Sequence, residues 1–386
     1  MTGGGSGGHI TPLIPLAQEL KSQAPAARLV YIGLKKEAIE ADERLAIFDE
    51  LYRVSAGKFR RYHGEGFWAH LLDIRTIWLN LRDVFKLAVG SWQALRLLRR
   101  LRPAVVFSKG GYVVVPVGLA ARLRRIPLIT HDSDVVPGLA NRLIGRWAAI
   151  HTTGQPAKLY KYPAEATRHV GIPVDERIKP VDAAEQAAAK QQLGLPAKAK
   201  VLLIAGGGQG AADINQMVLA IAKQLLVDPQ LQIIHITGAA HTSAVDEKYD
   251  LRLNPAQRER VRVLGWSDQF HQYAAAADLI ITRAGATTLA ELALAGKACI
   301  VIPSPFLTGG HQLKNAEALT RRGAVEVVAN HAPASQLLKA AKGLLASQPR
   351  RTQLAAKLAK TAKPKAATQL AALILAVAAG EEAKPT

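Results

Sequence analysis

Short apolar runs that end in glycine or proline alternate with helical patterns along most of the chain. They lie at 28–34, 104–112, 127–134, 201–208, 231–238, 261–266, 278–288 and 297–306. Strands buried on both faces of a parallel sheet are apolar throughout, whereas half-exposed strands alternate between apolar and polar residues. The pattern therefore predicts an α/β fold built on parallel sheets.

Both halves of the chain repeat one unit, in which a glycine-rich turn leads into a helix and then into another strand. GGGSGGH (3–9) begins such a unit in the first half, and GGGQGA (206–211) begins one in the second. This βαβ pattern predicts two Rossmann-like, doubly wound domains facing a cleft. We place the domains at 1–170 and 171–365, with a C-terminal helix and tail at 366–386 as a candidate to pack back on the first domain.

The first glycine turn has no strand before it, because the chain begins MTGGGSGGH. A central strand is difficult to omit from a parallel sheet, since both of its neighbours would lose their backbone partners. We therefore expect the native chain to begin upstream of Met1. Otherwise the N-terminal sheet must close without its first strand.

The composition narrows the classes of partner. Hydrophobic residues make up 49% of the 386 residues, and the net charge is +20 with a pI of about 10.1. Such a charge favours nucleic acid, an anionic membrane surface or a phosphorylated substrate. The single cysteine, Cys299, lies in an apolar run and is predicted to be a core residue. No apolar run reaches the ~20 residues that span a bilayer and no signal-peptide pattern is present, so we expect a cytosolic chain that can attach to a membrane surface.

Glycine-rich turns at predicted strand ends are the main candidate binding features. Their backbone N–H groups can approach an anion closely, and a helix N-terminus adds partial positive charge. Gly3, Gly5 and Gly8 match the dinucleotide pattern G-x-G-x-x-G, but the preceding strand and the later acidic residue are both missing, which disfavours a nicotinamide enzyme. Turns in both halves instead favour a nucleotide-sugar donor on one domain and an acceptor on the other.

Seven segments are specific when taken together and in order. They are GGGSGGHITP (3–12), SKGGYVVVPVGLAA (108–121), PLITHDSDVVPGLANR (127–142), VGIPV (170–174), GGGQGAADIN (206–215), TRAGATTLAELALAGKACIVIPSP (282–305) and HQLKNAEAL (311–319). They resemble the MurG family of N-acetylglucosaminyltransferases, glycosyltransferase family 28, which has the two-domain GT-B fold. The resemblance implies inverting transfer of N-acetylglucosamine from UDP-N-acetylglucosamine to the 4-hydroxyl of undecaprenyl-diphospho-N-acetylmuramoyl-pentapeptide, the lipid I to lipid II step of peptidoglycan synthesis. It implies no cofactor, and no nucleic-acid motif is present.

The resemblance also implies roles for individual residues. Donor contacts are expected from Ser6, Gly7, Gly8, Asp134, Gly208, Gln209, Trp266, Ala286, Thr287, Thr288, Glu291 and Gln312. Glu291 matches the glutamate that holds the ribose hydroxyls, and 286–288 matches the turn that binds the diphosphate. Acceptor contacts are expected from Gly5, His9, Gly110, Gly111, Tyr112 and Asn141. His9 is the candidate general base, or else it only orients the loop or binds phosphate.

Some positions depart from the family pattern. The family usually has Asn at Asp134, Arg at Asp175 and Ser at Gly208, so this chain lacks side chains that contact the donor in its relatives. These departures leave two alternatives open: another lipid glycosyltransferase of this fold with a different donor or acceptor, or a binding subunit without catalysis. Asp132-Ser133-Asp134 also spells D-x-D, which binds metal in another glycosyltransferase class, but it aligns here with a loop that holds no metal. We expect no metal site.

A basic, aromatic segment at 58–102 carries apolar residues spaced three and four apart. This spacing predicts one apolar stripe, on a single helix or on two helices broken near Gly90. Packing into the domain core is the interpretation that we favour for most of the stripe. The other is a peripheral docking face on the cytoplasmic side of an anionic cell membrane, which MurG-like proteins use in this region. Its candidate residues are Phe67, Trp68, Trp78, Phe85, Arg75, Arg82 and Lys86.

Overall fold

The computed structural model describes residues 1–4, 7–36, 42–57, 74–306 and 308–381. The chain forms two compact units, one of Met1–Asp175 with Lys365–Thr386 and one of Glu176–Pro364. Each unit has parallel strands and its own buried apolar cores, so the prediction of two doubly wound α/β units is confirmed. Within the described residues, no helix combines the length and the apolar character needed to cross a membrane.

The strands of the first unit are all parallel. They are β1 (Val30–Leu34), β2 (Glu50–Val54), β3 (Val106–Ser108), β4 (Leu128–Asp132), β5 (Ile150–Thr153) and β6 (Thr167–His169). The helices are α1 (Gly7–Ile10), α2 (Leu13–Gln23), α3 (Ile74–Leu101), α4 (Val114–Leu123) and α5 (Leu139–Ile144), with 3₁₀ turns at Glu43–Ile47, Gly145–Trp147 and Ala157–Leu159. β1 pairs with β2, and β3, β4, β5 and β6 pair in that order.

Thr2 lies between these two groups of strands. It forms parallel bridges to Ile32 of β1 and to Ser108 of β3. Its N–H donates to the Phe107 carbonyl at 2.8 Å, and its carbonyl accepts from the Lys109 N–H at 2.9 Å. Thr2 therefore occupies the central position for which the sequence offers no strand. Whether the native chain begins upstream stays a prediction.

The second unit has the doubly wound strand order. Its strands are β7 (Lys200–Ala205), β8 (Leu231–Ile236), β9 (Val261–Leu264), β10 (Leu279–Thr282), β11 (Cys299–Val301) and β12 (Glu326–Val327). Its helices are α6 (Ala183–Gln192), α7 (Ala212–Leu225), α8 (Thr242–Arg252), α9 (Pro255–Arg258), α10 (Phe270–Ala276), α11 (Ala286–Ala295), α12 (His311–Thr320), α13 (Ala334–Ala346) and α14 (Gln348–Ala359), with 3₁₀ turns at Ala239–His241 and Thr308–Gly310. The parallel order is β9-β8-β7-β10-β11-β12. Strand order therefore reverses between β7 and β10, and ligands of such sheets bind outside the carboxyl ends of the strands at that point.

The central strand β7 shows why its sequence is apolar throughout. Leu202 and Ile204 belong to one buried core, and Val201 and Leu203 belong to another. Since neighbouring side chains of a strand point to opposite faces, the sheet is covered on both sides. Cys299 of β11 lies in the second core, as predicted, and burial raises the pKa of its thiol to about 12.

The last helix, α15 (Ala366–Ala378), belongs to the first unit although it follows the second along the chain. It packs against α2. Leu370 and Ile374 join a core that also contains Leu13 and Leu16. The chain therefore crosses between the units twice.

Helix α3 decides between two alternatives and corrects one prediction. It is continuous through Gly90, so of the two arrangements left open the single helix is confirmed and the pair of helices broken there is wrong. Leu81, Phe85 and Trp92 are 64%, 69% and 61% exposed, so the interpretation that the apolar stripe packs into the core is wrong for these three side chains, whereas Leu95 of the same stripe does pack against a core. The helix instead packs through a second stripe that includes Gly90 and the buried Ala94. Glycine is needed there because a Cβ at position 90 would lie 1.7 Å from the Ser55 carbonyl oxygen.

Gly90→Ala is expected to destabilise the chain, since the added Cβ meets Ser55 and α3 must move outward. We expect a loss of about 1–3 kcal/mol in the free energy of unfolding, measured by urea titration. Gly343→Ala in α13 is the matched control, because a Cβ there meets only Arg350 Nη1 at 3.4 Å. The control should gain about 0.5–1 kcal/mol from helix propensity. Equal stability of the two variants would contradict the packing described for α3.

Candidate functional site

The turn after β7 lies at the point where the strand order of the second unit reverses. Gly208 and Gln209 are exposed in this turn, which covers 206–210. Gly210 has φ +76°, and a Cβ there would lie 1.9 Å from the Thr237 carbonyl oxygen after β8. Only glycine permits both the conformation and the close approach, and the result is an exposed backbone turn that an anion can reach.

The neighbouring strand β10 leads into α11, which begins at Ala286. No side chain caps this helix and no acidic residue lies in its first turn. The first N–H groups of a helix have no carbonyl one turn earlier, so those of Ala286, Thr287 and Thr288 join the positive end of the helix dipole. Thr287, Thr288 and Glu291 are half-buried along this helix. The structure thus brings the predicted diphosphate turn next to the turn at 206–210.

Arg283 holds this turn in place, and we did not anticipate its role from the sequence. Its guanidinium donates to the Ile302 carbonyl at 3.0 Å, to Asp213 Oδ2 at 3.3 Å and to Asn330 Oδ1. Asn330 Nδ2 donates to the same Asp213 oxygen at 2.9 Å. Hydrogen bonds from Asn330 and Arg283 hold the pKa of Asp213 below its usual range. The cluster joins the turn after β10 to α7 and to the segments after β11 and β12.

The remaining predicted donor residues of this unit lie at the same edge of the sheet. Gln312 lies in the first turn of α12, and its Oε1 accepts from the Ser304 N–H at 2.8 Å. Asn315 is buried one turn further along and donates to the Ala284 carbonyl at 3.0 Å, which supports the turn before α11. Trp266 is exposed after β9, the edge strand on the opposite side of β7.

In the first unit, two glycine turns meet beside His9. Gly111 has φ +84°, and a Cβ there would lie 2.0 Å from the Gly4 carbonyl oxygen. Gly110 has φ +105°, and its Cβ would lie 3.3 Å from both Cε1 and Nδ1 of His9. Tyr112 packs against the apolar core below. The structure therefore brings His9, Gly110 and Gly111 together, as the resemblance implies.

Four further predicted residues lie in the loop that carries His9. Gly5 and Ser6 fall outside the described residues. Gly7 and Gly8 lie in α1, a helix of four residues. Of this loop, His9 is the residue that the structure shows beside Gly110.

Asn141 is buried between the ends of β3 and β4. Its Nδ2 donates to the His131 carbonyl at 2.9 Å and to Asp132 Oδ1 at 3.1 Å, and its Oδ1 accepts from Ser108 Oγ at 2.8 Å. Its amide thus joins two strand ends inside the protein. A direct contact between Asn141 and an acceptor stays a prediction.

The D-x-D carboxylates have partners of their own. Asp132 accepts from the Gly138 N–H at 3.1 Å and from the Tyr162 hydroxyl at 2.8 Å, besides Asn141. Burial raises the pKa of Asp132, and these donors oppose that shift. Asp134 is half-buried, and its backbone carbonyl accepts from the Tyr160 hydroxyl at 2.7 Å. Among the described residues, no group of three or more His, Cys, Asp or Glu side chains could hold a metal ion.

Lys109 is a second residue that our sequence reasoning missed. It follows β3 directly, between Ser108 and Gly110, and is 4% exposed. Burial lowers its pKa, while Asp134 and Asp132 oppose the shift. A lysine within a glycine turn at a strand end was the signal, because a charged side chain is seldom buried without a reason.

The predicted membrane residues are only partly described. Phe85 is exposed on α3, where Lys86 Nζ and an Arg82 guanidinium nitrogen lie 3.5 Å and 3.6 Å from Asp83 Oδ1. Arg75 and Trp78 lie in the first turns of the same helix. Phe67 and Trp68 fall outside the described residues.

Comparisons with known proteins agree with this geometry. The N-terminal and C-terminal domain models of glycosyltransferase family 28 match residues 1–151 and 201–370. A UDP-N-acetylglucosamine--N-acetylmuramyl-(pentapeptide) pyrophosphoryl-undecaprenol N-acetylglucosamine transferase from Symbiobacterium thermophilum is 34% identical, covering 98% of this chain and 96% of its own length. The transferase of the same name from Lachnoclostridium phytofermentans is 37% identical, covering 84% and 83%. The crystal structure of Acinetobacter baumannii MurG matches with a TM-score of 0.72 at 25% identity, covering 97% of this chain and 98% of that one.

The two domain models and the relatives show that the protein is a glycosyltransferase, and the chain belongs to glycosyltransferase family 28. The resemblance to the MurG family, carried by seven sequence segments, is confirmed.

Arg283→Met is expected to weaken UDP binding by about 5–30-fold. Loss of the Arg283 hydrogen bonds that hold the turn before α11 should remove about 1–2 kcal/mol of binding free energy. Isothermal titration of the full chain with UDP measures the change. Arg321→Met is the matched control, since Arg321 is exposed and forms an exposed ion pair with Glu317. Unchanged UDP affinity in the Arg283 variant would contradict the claim that Arg283 holds this turn in place for UDP.

Proposed function

We propose that the chain transfers N-acetylglucosamine from UDP-N-acetylglucosamine to the 4-hydroxyl of undecaprenyl-diphospho-N-acetylmuramoyl-pentapeptide, with inversion at the anomeric carbon. This is the lipid I to lipid II step of peptidoglycan synthesis. The observation that carries the proposal is the uncapped start of α11 where the strand order reverses, in a chain whose relatives bear the name of this transferase.

The second unit binds the donor in this proposal. N–H groups at 286–288 receive the diphosphate and stabilise the negative charge that develops on the departing UDP. Glu291, on the same helix, accepts hydrogen bonds from the ribose hydroxyls, since a carboxylate can accept from two donors at once. Because Gly208 has no side chain, it can contribute only its backbone groups to the donor.

The first unit binds the acceptor. Gly110 and Gly111 present backbone groups beside His9, where the attacking 4-hydroxyl is placed. His9 takes the proton of that hydroxyl, because an imidazole can act as a base near neutral pH. The alternative role for His9 is to orient the loop or to bind phosphate without taking a proton.

The test is incubation of the full chain with UDP-N-acetylglucosamine and a short-chain lipid I analogue, followed by mass spectrometry of the lipid. We expect the disaccharide-linked product and free UDP. UDP-glucose and UDP-N-acetylgalactosamine serve as comparison donors in the same assay. Product from one of these alone would favour the alternative of a lipid glycosyltransferase with a different donor. UDP binding without product from any donor would favour a subunit that binds but does not catalyse.

His9→Ala, measured in the same assay at saturating donor, is expected to lower turnover by about 10²–10⁴-fold, the usual effect of losing a general base. UDP affinity should stay unchanged in this variant, because the base acts on the acceptor hydroxyl. Near-normal turnover would remove His9 from the chemistry and leave it an orienting role.

We also infer that α3 docks on the cytoplasmic surface of the cell membrane. Its stripe of Leu81, Phe85 and Trp92 is exposed, and α3 carries basic residues near both ends of that stripe, among them Arg82 and Arg96. Apolar side chains enter the membrane interface, while Lys and Arg meet anionic headgroups. A docking face of this kind would also account for much of the positive charge of the chain.

Phe85→Ser combined with Trp92→Ser is expected to weaken binding to anionic liposomes at least tenfold, since each buried aromatic side chain contributes about 1.5–3 kcal/mol. Sedimentation with phosphatidylglycerol vesicles at rising salt measures the change. Val227→Ser combined with Leu251→Ser is the matched control, because both residues are exposed in the second unit. Docking through α3 would be refuted by equal losses in the two variants, or by no binding of the native chain at low salt.

A further inference from the structure

Three lysines are buried in the part of the chain that the structure describes: Lys109, Lys190 and Lys297. Lys190 Nζ donates to Asp278 Oδ2 at 2.9 Å and to the Ala199 carbonyl at 2.8 Å. Lys297 Nζ donates to two backbone carbonyls of the segment that ends α10. The Lys109 side chain is 4% exposed, and no hydrogen bond or ion pair of its ammonium is found among the described residues.

Lys109 also differs from the other two buried lysines in its position. It lies at the carboxyl edge of the first unit's sheet, where a Cβ on Gly3 would be 3.1 Å from the Lys109 Cβ. Gly110 and Gly111 follow it, and both have positive φ. Consecutive glycines in such conformations expose backbone N–H groups of the kind that line anion sites.

The nearby carboxylates do not satisfy the ammonium. Asp132 already accepts from Gly138, Asn141 and Tyr162. Neither Asp132 nor Asp134 is within ion-pair distance of Lys109 in the described structure, although both act on it electrostatically. Since a cation on a side chain that is only 4% exposed is costly without a protein partner, a charge retained at this place indicates an anion that arrives from outside.

We propose that the Lys109 ammonium binds a phosphate oxygen of the acceptor's diphosphate, beside the backbone groups of Gly110 and Gly111. This inference rests on the proposed function, which requires a lipid-linked diphosphate at the acceptor side. An ammonium is a compact point charge that suits a phosphate oxygen. It also offsets the negative potential of Asp132 and Asp134, which would otherwise repel such a ligand.

Lys109→Met, which keeps the length of the side chain and removes its charge, tests the proposal. We expect the KM for a short-chain lipid I analogue to rise tenfold or more, while the KM for UDP-N-acetylglucosamine stays unchanged. Titration of the full chain with inorganic pyrophosphate should show the same loss of affinity. Because the ammonium has no partner to lose, the melting temperature should stay the same or rise.

Lys190→Met is the matched control. It removes a buried lysine that does have a partner, so we expect a lower melting temperature with unchanged acceptor KM. The Asp134→Asn background tests the competing explanation, in which Lys109 only balances the Asp134 charge. Full recovery of acceptor KM in the double variant, or a fall in melting temperature without a change in acceptor KM, would overturn the proposal.

Pyrophosphate binding separates this inference from the proposed function. If the native chain forms no disaccharide product but Lys109→Met still weakens pyrophosphate binding, the proposed reaction fails and the anion site stands. If the native chain forms product and both variants bind pyrophosphate equally well, the reaction stands and the role of Lys109 fails.

Discussion

Every strand pair that the structure describes, in both units, is parallel, and the rest of the account depends on this constraint. Parallel strands deliver their carboxyl ends to one edge of a sheet, so turns that are distant in the sequence become neighbours there. In the second unit, this brings the turn at 206–210 next to the start of α11. In the first, it brings His9 next to Gly110. Glycine is required at these edges because backbone atoms of different turns approach closely.

A second feature is common to the two units: buried polar side chains hold the turns together. Arg283 joins the turn before α11 to Asp213 and Asn330. Asn141 joins the end of β3 to the end of β4. In each case one polar group satisfies several backbone or side-chain partners, which fixes turns that glycine would otherwise leave with many conformations.

Much of the fold could be predicted from the sequence, because parallel strands buried on both faces leave a strong signal. Residues 201–205 are an example, since each of them lies in a core. The orientation of α3 could not be predicted in the same way. Its sequence contains two helical stripes, and the stripe of large residues gave the stronger pattern. Burial was decided instead by the close approach of Gly90 to Ser55, which depends on residues far apart in the sequence.

The same distinction, between local sequence patterns and contacts of residues far apart in the sequence, applies to the residues of the candidate site. Glycine turns and Glu291 could be proposed from local segments, whereas the roles of Arg283 and Lys109 depend on contacts that only the fold shows. Arg283 matters because of partners contributed by three other segments, and those partners are visible only in the fold. Lys109 matters because it lacks a partner where the other two buried lysines have one. An absent contact leaves no pattern in the sequence.

The central claim is that the nucleotide diphosphate binds where α11 begins. Hydrogen exchange of the full chain with and without saturating UDP, followed by mass spectrometry of peptides, tests it most directly. The account predicts slower exchange in peptides covering 206–211 and 283–291, with little change in peptides covering 28–34 and 104–112. Protection confined to the first unit, or unchanged exchange at 283–291 with UDP bound, would contradict it.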